Sequence, residues 1–94
     1  MTTKPFDIVN YIHNEKDIEE YLKVAFESGD EQEITRALAN VIRVRGMSKT
    51  SKKTGLNRSN LYKTLINNGG SPTLTTFNKL IRSFGYKLTI APLP

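Results

Sequence analysis

Apolar side chains return at intervals of three and four from Asn14 onward: Ile18, Tyr21, Leu22, Ala25 and Phe26 share one face of a predicted helix, with polar residues between them. Asn14 is placed to cap that helix and Gly29 to end it. The same spacing resumes in Ile34, Ala37, Leu38, Val41 and Ile42, behind Asp30 and Glu33, which read as a carboxylate variant of the capping box. Glu31 and Glu33 sit where a helix start favours negative charge, Arg43 and Arg45 fall in the last turn, and Gly46 lies just beyond. Two shorter helical segments follow, Ser48 to Thr54 and Arg58 to Ile66. Between them stand Gly55, free to take positive φ, Leu56, a core plug, and Asn57, a cap. After the polar loop Asn67 to Pro72, Thr73 is placed to cap a fifth helix whose Leu74, Phe77, Leu80, Ile81 and Phe84 share a face up to Gly85.

The period then changes. Tyr86, Leu88 and Ile90 alternate with Lys87, Thr89 and Ala91, the two-residue repeat of a half-buried strand, stopped by Pro92. A lone strand leaves its backbone donors and acceptors unpaired, so the pattern predicts antiparallel pairing with a second copy across a two-fold axis, through Tyr86, Leu88 and Ile90. The alternative is a tail whose alternation is accidental. The expected architecture is all-α: about five helices, with a helix-turn-helix core and a short C-terminal strand. One domain over residues 1–94 is expected, comprising an acidic helical extension (1–29), the core (30–85) and the strand (86–91). At this length the core is small enough for burial by self-association to matter.

Charge divides the chain more sharply than hydropathy does. All nine carboxylates lie at or before Glu33, and the eleven Lys and Arg residues beyond it have no acid among them. Residues 1–33 sum to −6, three lysines against nine acids, and residues 34–94 to +11, which together make the net charge of +5. Such a split points to a polyanion for the basic part, with the acidic part folded against it, exposed, or docked on a basic partner. There is no Cys, hence no disulfide or thiolate chemistry, and no apolar run approaches the length of a membrane span. The first residues do not read as a secretory signal, and a cytoplasmic location without membrane association is the expectation.

Candidate chemistry sits between Ser48 and Lys63. If these two segments read DNA, the second presents polar side chains from its first turns to base edges in the major groove. Leu61 and Leu65 would face inward with Leu56, leaving Arg58, Ser59, Tyr62 and Lys63 outward as base readers and Asn57 and Asn60 near the flanking backbone. Arginine pairs with the two acceptors of guanine, and lysine does similar work less rigidly. The preceding segment, Ser48 to Thr54, has no large apolar side chain; its hydroxyls, ammonium groups and helix-start amides suit phosphate oxygens, with Ser48, Lys49, Thr50 and Lys52 as the expected backbone contacts. A plain solvated basic face is the other reading of that run. In the acidic part, Asp17, Glu19, Glu20 and Glu27 would lie away from the apolar stripe and offer a surface to a cationic protein, or serve as an ordinary solvated face.

The stretch GMSKTSKKTGLNRSNLYKTLINNGGSPTLTTFNKLIRSFGYKL resembles the Cro/cI-type, lambda-repressor-like helix-turn-helix of HigA-like addiction-module antitoxins. The opening TTKPFDIVNYI, the helix DIEEYLKVAFESGD and the join EITRALANVIRVRGMS are similar to that family's N-terminal part, so the resemblance spans nearly the whole chain. It implies a bacterial antitoxin that binds operator DNA of its own operon as a homodimer and neutralises a small basic toxin of the RelE/HigB-like class. On that resemblance Asn57, Arg58, Ser59, Tyr62 and Lys63 occupy recognition-helix positions, and Lys49 stands where a Gln is common. Thr50 and Ser51 depart from the family, standing where an aliphatic residue and a small Ala usually pack.

Catalysis is not expected. The single His, His13, lies in a polar tract, no zinc-type ligand spacing occurs, and no cofactor or metal is implied. Two other functions remain open from the residues: a stand-alone or phage-type transcriptional regulator without a toxin, and an interaction module whose basic face binds an acidic protein.

Overall fold

The computed structural model describes residues 7–67 and 72–94; Phe6 and the loop positions 68–71 lie outside the described residues. After a 3-10 turn (Ile8–Tyr11), the chain forms α1 (Glu15–Glu27), α2 (Glu31–Arg45), α3 (Met47–Thr54), α4 (Arg58–Leu61), which widens into a π-helical segment (Tyr62–Asn67), and α5 (Leu74–Ser83). The protein is all-α, and no helix among the described residues is long and apolar enough to cross a membrane.

Local chemistry sets the helix starts. Asn14 Oδ1 accepts from the Asp17 N–H at 2.9 Å, and Asp17 Oδ2 reaches back to accept from the His13 N–H at 2.9 Å, so two amides at the start of α1 are satisfied reciprocally. Asp30 Oδ1 accepts from the N–H groups of Gln32 (2.9 Å) and Glu33 (3.4 Å). The expected return bond from Glu33 does not form. Its carboxylate takes Arg36 at 3.3 Å, and the Asp30 N–H donates to Ser28 Oγ at 3.1 Å. Thr73 caps α5 by accepting from the Thr76 N–H at 3.2 Å. A single residue, Gly46, joins α2 to α3 with φ of 101°, a conformation that side-chain-bearing residues rarely adopt.

Helix α2 is the centre of the molecule. Ala37, Leu38, Ala39, Val41 and Ile42 are buried on much of its circumference, because α1, the 3-10 turn, α3 and the π segment all pack on it. Ile18, Leu22 and Ala25 of α1, Leu61 and Leu65, and Leu80, Ile81 and Phe84 complete one core cluster. Phe26 and Phe77 meet with ring centroids 5.7 Å apart and planes tilted by 60°, which ties α1 to α5 as well. The acidic extension is thus packed into the core rather than appended to it.

One expectation fails at the C-terminal end. Leu74 does not join Phe77, Leu80 and Ile81 in the core; it is 75% exposed, because it lies in the first turn, ahead of the part of α5 that the body of the protein covers. The tail beyond Gly85 forms no strand within this chain. Tyr86 and Leu88 are half-buried against the chain's own core, while Ile90 is 96% exposed. The alternation is therefore real as burial for its first two members, and the side they face belongs to this subunit.

Candidate nucleic-acid interface

Helices α3 and α4 meet through Gly55, Leu56 and Asn57, and the hydroxyls of α3 hold that turn together. Ser51 Oγ donates to the Leu56 carbonyl at 2.5 Å, Thr54 Oγ1 donates to the Thr50 carbonyl at 2.8 Å, and the Leu56 N–H donates to Thr54 Oγ1 at 3.1 Å. Gly55 takes φ of 73°, the left-handed value that ends α3 and redirects the chain. Asn57 Oδ1 then accepts from the Ser59 N–H at 2.7 Å and starts α4.

These bonds correct the reading of α3. Thr50, expected to touch a phosphate, is 3% exposed, with its hydroxyl donated to the Gly46 carbonyl at 3.0 Å. Met47, Thr50, Ser51 and Thr54 form the inner face at helical spacing, which leaves Ser48, Lys49, Lys52 and Lys53 outside. Thr50 and Ser51 are also the two positions that depart from the resembled family: they point inward as expected there, but hold the turn by hydrogen bonds instead of by apolar packing. Asn57 is likewise part of the scaffold. Its Oδ1 is occupied as a cap, so Nδ2 alone is left to donate outward.

The remaining candidates are where the spacing places them. Leu61 and Leu65 are buried, and Arg58, Ser59, Asn60, Tyr62 and Lys63 are exposed along the start of α4 and the first residues of the π segment. Helices α1, α2, α4 and α5 each have a side-chain cap, whereas α3 has none, so its first-turn amides are not satisfied by a capping side chain. Lys52 and Lys53 in its last turn stabilise the opposite end of the same helix dipole.

Electrostatics was the part least visible beforehand. Every arginine of α2 is neutralised within the chain: Arg36 by Glu33 at 3.3 Å, Arg43 by Asp7 at 2.7 Å, and Arg45 by Glu15 at 2.6 Å. Arg43 grips Asp7 through both guanidinium nitrogens, and this bond, with the Val9 N–H, holds the Asp7 carboxyl below its ordinary value while Asp7 raises that of Arg43. Arg45, only 18% exposed, also donates to the Phe84 carbonyl at 3.2 Å, tying the start of α1 to the end of α5. Of the eleven cations after Glu33 these three are paired, and the other eight, Lys49, Lys52, Lys53, Arg58, Lys63, Lys79, Arg82 and Lys87, are exposed and outside every ion pair among the described residues. Lys49 stands three and four residues from Lys52 and Lys53, an arrangement that repels on a helix unless an anion is bound. The resulting surface can neutralise phosphates and, through the fork of Arg58, present paired donors to a base edge.

The acidic candidates separate in the same way. Asp17 is half-buried and spent on its cap, and Glu19 lies 3.7 Å from Lys23 across one helical turn. Glu20 and Glu27 are exposed and make no ion pair among the described residues, and Val24, 69% exposed, lies between them on the same stripe of α1. Tyr86 lies beside α1, where burial together with the charges of Glu15 and Glu19 pushes its hydroxyl pKa up.

Fold and surface define a small all-helical protein in which the three arginines of α2 are paired with acids, while the cations of α3, α4, the π segment and α5 are outside every ion pair among the described residues. Comparison with known proteins makes the assignment narrower: a family model described as "Probable addiction module antidote protein" matches residues 2–92. The chain belongs to that family of probable addiction-module antidote proteins. It is similar to an uncharacterised protein of Haemophilus influenzae, 29% identical over 87 residues that cover 93% of this chain and 89% of the other. No solved structure matches it.

Proposed function

We propose that the protein is a HigA-like antitoxin of a type II toxin-antitoxin module that binds the operator of its own operon through a Cro/cI-type helix-turn-helix, as a homodimer, and neutralises a basic toxin of the RelE/HigB-like class. The observation that carries the DNA reading is that Arg58 of α4 and Lys63 of the π segment are exposed and outside every ion pair among the described residues, next to a lysine row on α3, while Leu61 and Leu65 anchor the inner side. In this arrangement α4 is the recognition helix, with Arg58, Ser59, Tyr62 and Lys63 reading bases, and Ser48, Lys49, Lys52, Asn60 and the Asn57 amide holding the backbone. The family's antidote description supports a toxin partner over a free-standing regulator. Glu20 and Glu27, with Val24 between them, are the acids of α1 best placed to meet that cationic partner, speeding its encounter more than setting its final affinity. Ile90 and the backbone of the tail remain available to pair with a second copy, while Tyr86 and Leu88 brace the tail on its own subunit.

The test is a salt-resolved binding titration on duplex containing the DNA upstream of the gene, against a random duplex of equal length. Arg58→Ala should lower discrimination at one position of each half-site by about 1–3 kcal/mol. Lys52→Ala should weaken both duplexes alike and flatten the log–log salt slope by about 0.9. Sequence preference unchanged in Arg58→Ala would overturn the placement of the recognition helix.

A further inference from the structure

We propose that α5 carries a second phosphate-gripping row, Lys79 and Arg82 with Lys87 just beyond, and that it fits the sugar-phosphate backbone of duplex DNA next to the stretch held by α3. The inference rests on the DNA-binding reading above and extends it to a helix that carries none of the contacts assigned there. Burial fixes the orientation. Leu80, Ile81 and Phe84 are buried and Phe77 half-buried, so Thr75, Lys79 and Arg82, at spacings of four and three, form the outward stripe, and all three are exposed.

Charge then distinguishes this stripe from the rest of the surface. Lys79 and Arg82 have no carboxylate partner among the described residues, whereas each arginine of α2 has one. Cations three residues apart on an exposed helix repel each other, so α5 repeats the frustrated pattern of Lys49 and Lys52 on α3. The two rows belong to neighbouring helices, since α3 and α5 pack directly on one another. Lys87 follows just beyond, exposed, after the chain turns tightly at the end of α5. The Gly85 N–H donates to the Arg82 carbonyl at 3.0 Å, and the Tyr86 N–H returns to the Ile81 carbonyl at 3.1 Å. An ammonium, a guanidinium and a threonine hydroxyl are groups that hold phosphate oxygens regardless of sequence.

The experiment is the same titration performed with Lys79→Ala/Arg82→Ala, with the charge-keeping Lys79→Arg/Arg82→Lys, and with the wild-type chain, each confirmed folded by its melting curve. Loss of two phosphate contacts should lower the salt slope by about 1.8, so that the affinity gap between wild type and the alanine pair narrows about tenfold from 50 to 200 mM salt. The loss should be equal on upstream and random duplex, and the charge-keeping pair should retain the wild-type slope. If the alanine pair keeps the wild-type slope while Lys52→Ala loses its share, the row on α5 is not a DNA contact and the inference falls, with the recognition-helix reading intact. If the wild-type chain retards neither duplex, both fall together.

Discussion

Orientation of α4 decides whether its polar residues can face a ligand at all, and Leu61→Ala tests it through stability. Leu61 is 1% exposed and lies in the core with Leu65, Leu38 and Leu80. Truncating such a leucine removes its transfer free energy and leaves a cavity, at a cost of about 2–5 kcal/mol. A chain of 94 residues unfolds with an entropy of roughly 0.2 kcal/mol/K. A loss of about 3 kcal/mol therefore lowers the Tm by about 15 °C. Arg58, three residues earlier, is exposed and makes no ion pair, so Arg58→Ala should stay within about 0.5 kcal/mol, or roughly 2–3 °C. Melting both variants by circular dichroism separates the faces directly. A Leu61→Ala variant that melts with the wild type, beside an Arg58→Ala variant that does not, would mean that α4 is turned the other way and that no reading of its outer face survives.

Three further outcomes follow from the same geometry. Ile90→Asp should shift the protein toward monomer by sedimentation and weaken operator binding without lowering the melting temperature of the subunit, because Ile90 touches nothing in its own chain, whereas Leu88→Asp should destabilise the fold as well; a dimer that survives Ile90→Asp would exclude the tail as the interface. Arg43 and the Val9 amide hold the Asp7 carboxyl below its ordinary value in the folded state, so the clasp on Arg43 is intact above that ordinary value and is lost as pH falls through the lowered one. The Val9 amide resonance should therefore titrate at a lower pH than a free aspartate carboxyl, and in Asp7→Asn that step should vanish; a midpoint at the ordinary aspartate value or higher would show that the clasp does not form. Replacing Glu20 and Glu27 with Gln should slow association with a basic toxin, most at low salt, and leave dissociation nearly unchanged; identical association rates would clear α1 of that role.

Helix starts were legible residue by residue. Asn14, Asp30, Asn57 and Thr73 each cap the helix expected of them, since capping depends on a side chain and an amide two or three positions away in the same chain. The faces of α1 and α4 were equally legible, as Ile18, Leu22 and Ala25, and then Leu61 and Leu65, repeat at the helical period. Thr50 was misplaced because hydroxyls score as polar, although the spacing of Met47, Thr50, Ser51 and Thr54 already carried the signal of an inner face.

By itself, the sequence determined which side chains cap the helices, which side of α4 is polar, and that all the acids precede all but three of the cations, whereas the widening of the helix expected over Arg58 to Ile66 into a π segment from Tyr62 was not legible in it. Those properties are set by neighbours within one or two helical turns, or by composition alone. Only the tertiary structure decided that Asp7 and Glu15 are matched to Arg43 and Arg45 of α2, so that, with Arg36 paired to Glu33 one turn away, the eight remaining exposed cations are outside every ion pair among the described residues. It likewise decided that Leu74 looks outward and that Tyr86 and Leu88 rest on their own subunit. Those two pairings join groups 36 and 30 residues apart in the chain, and charges that distant meet only because the packing of the 3-10 turn and of α1 on α2 brings them within hydrogen-bonding reach.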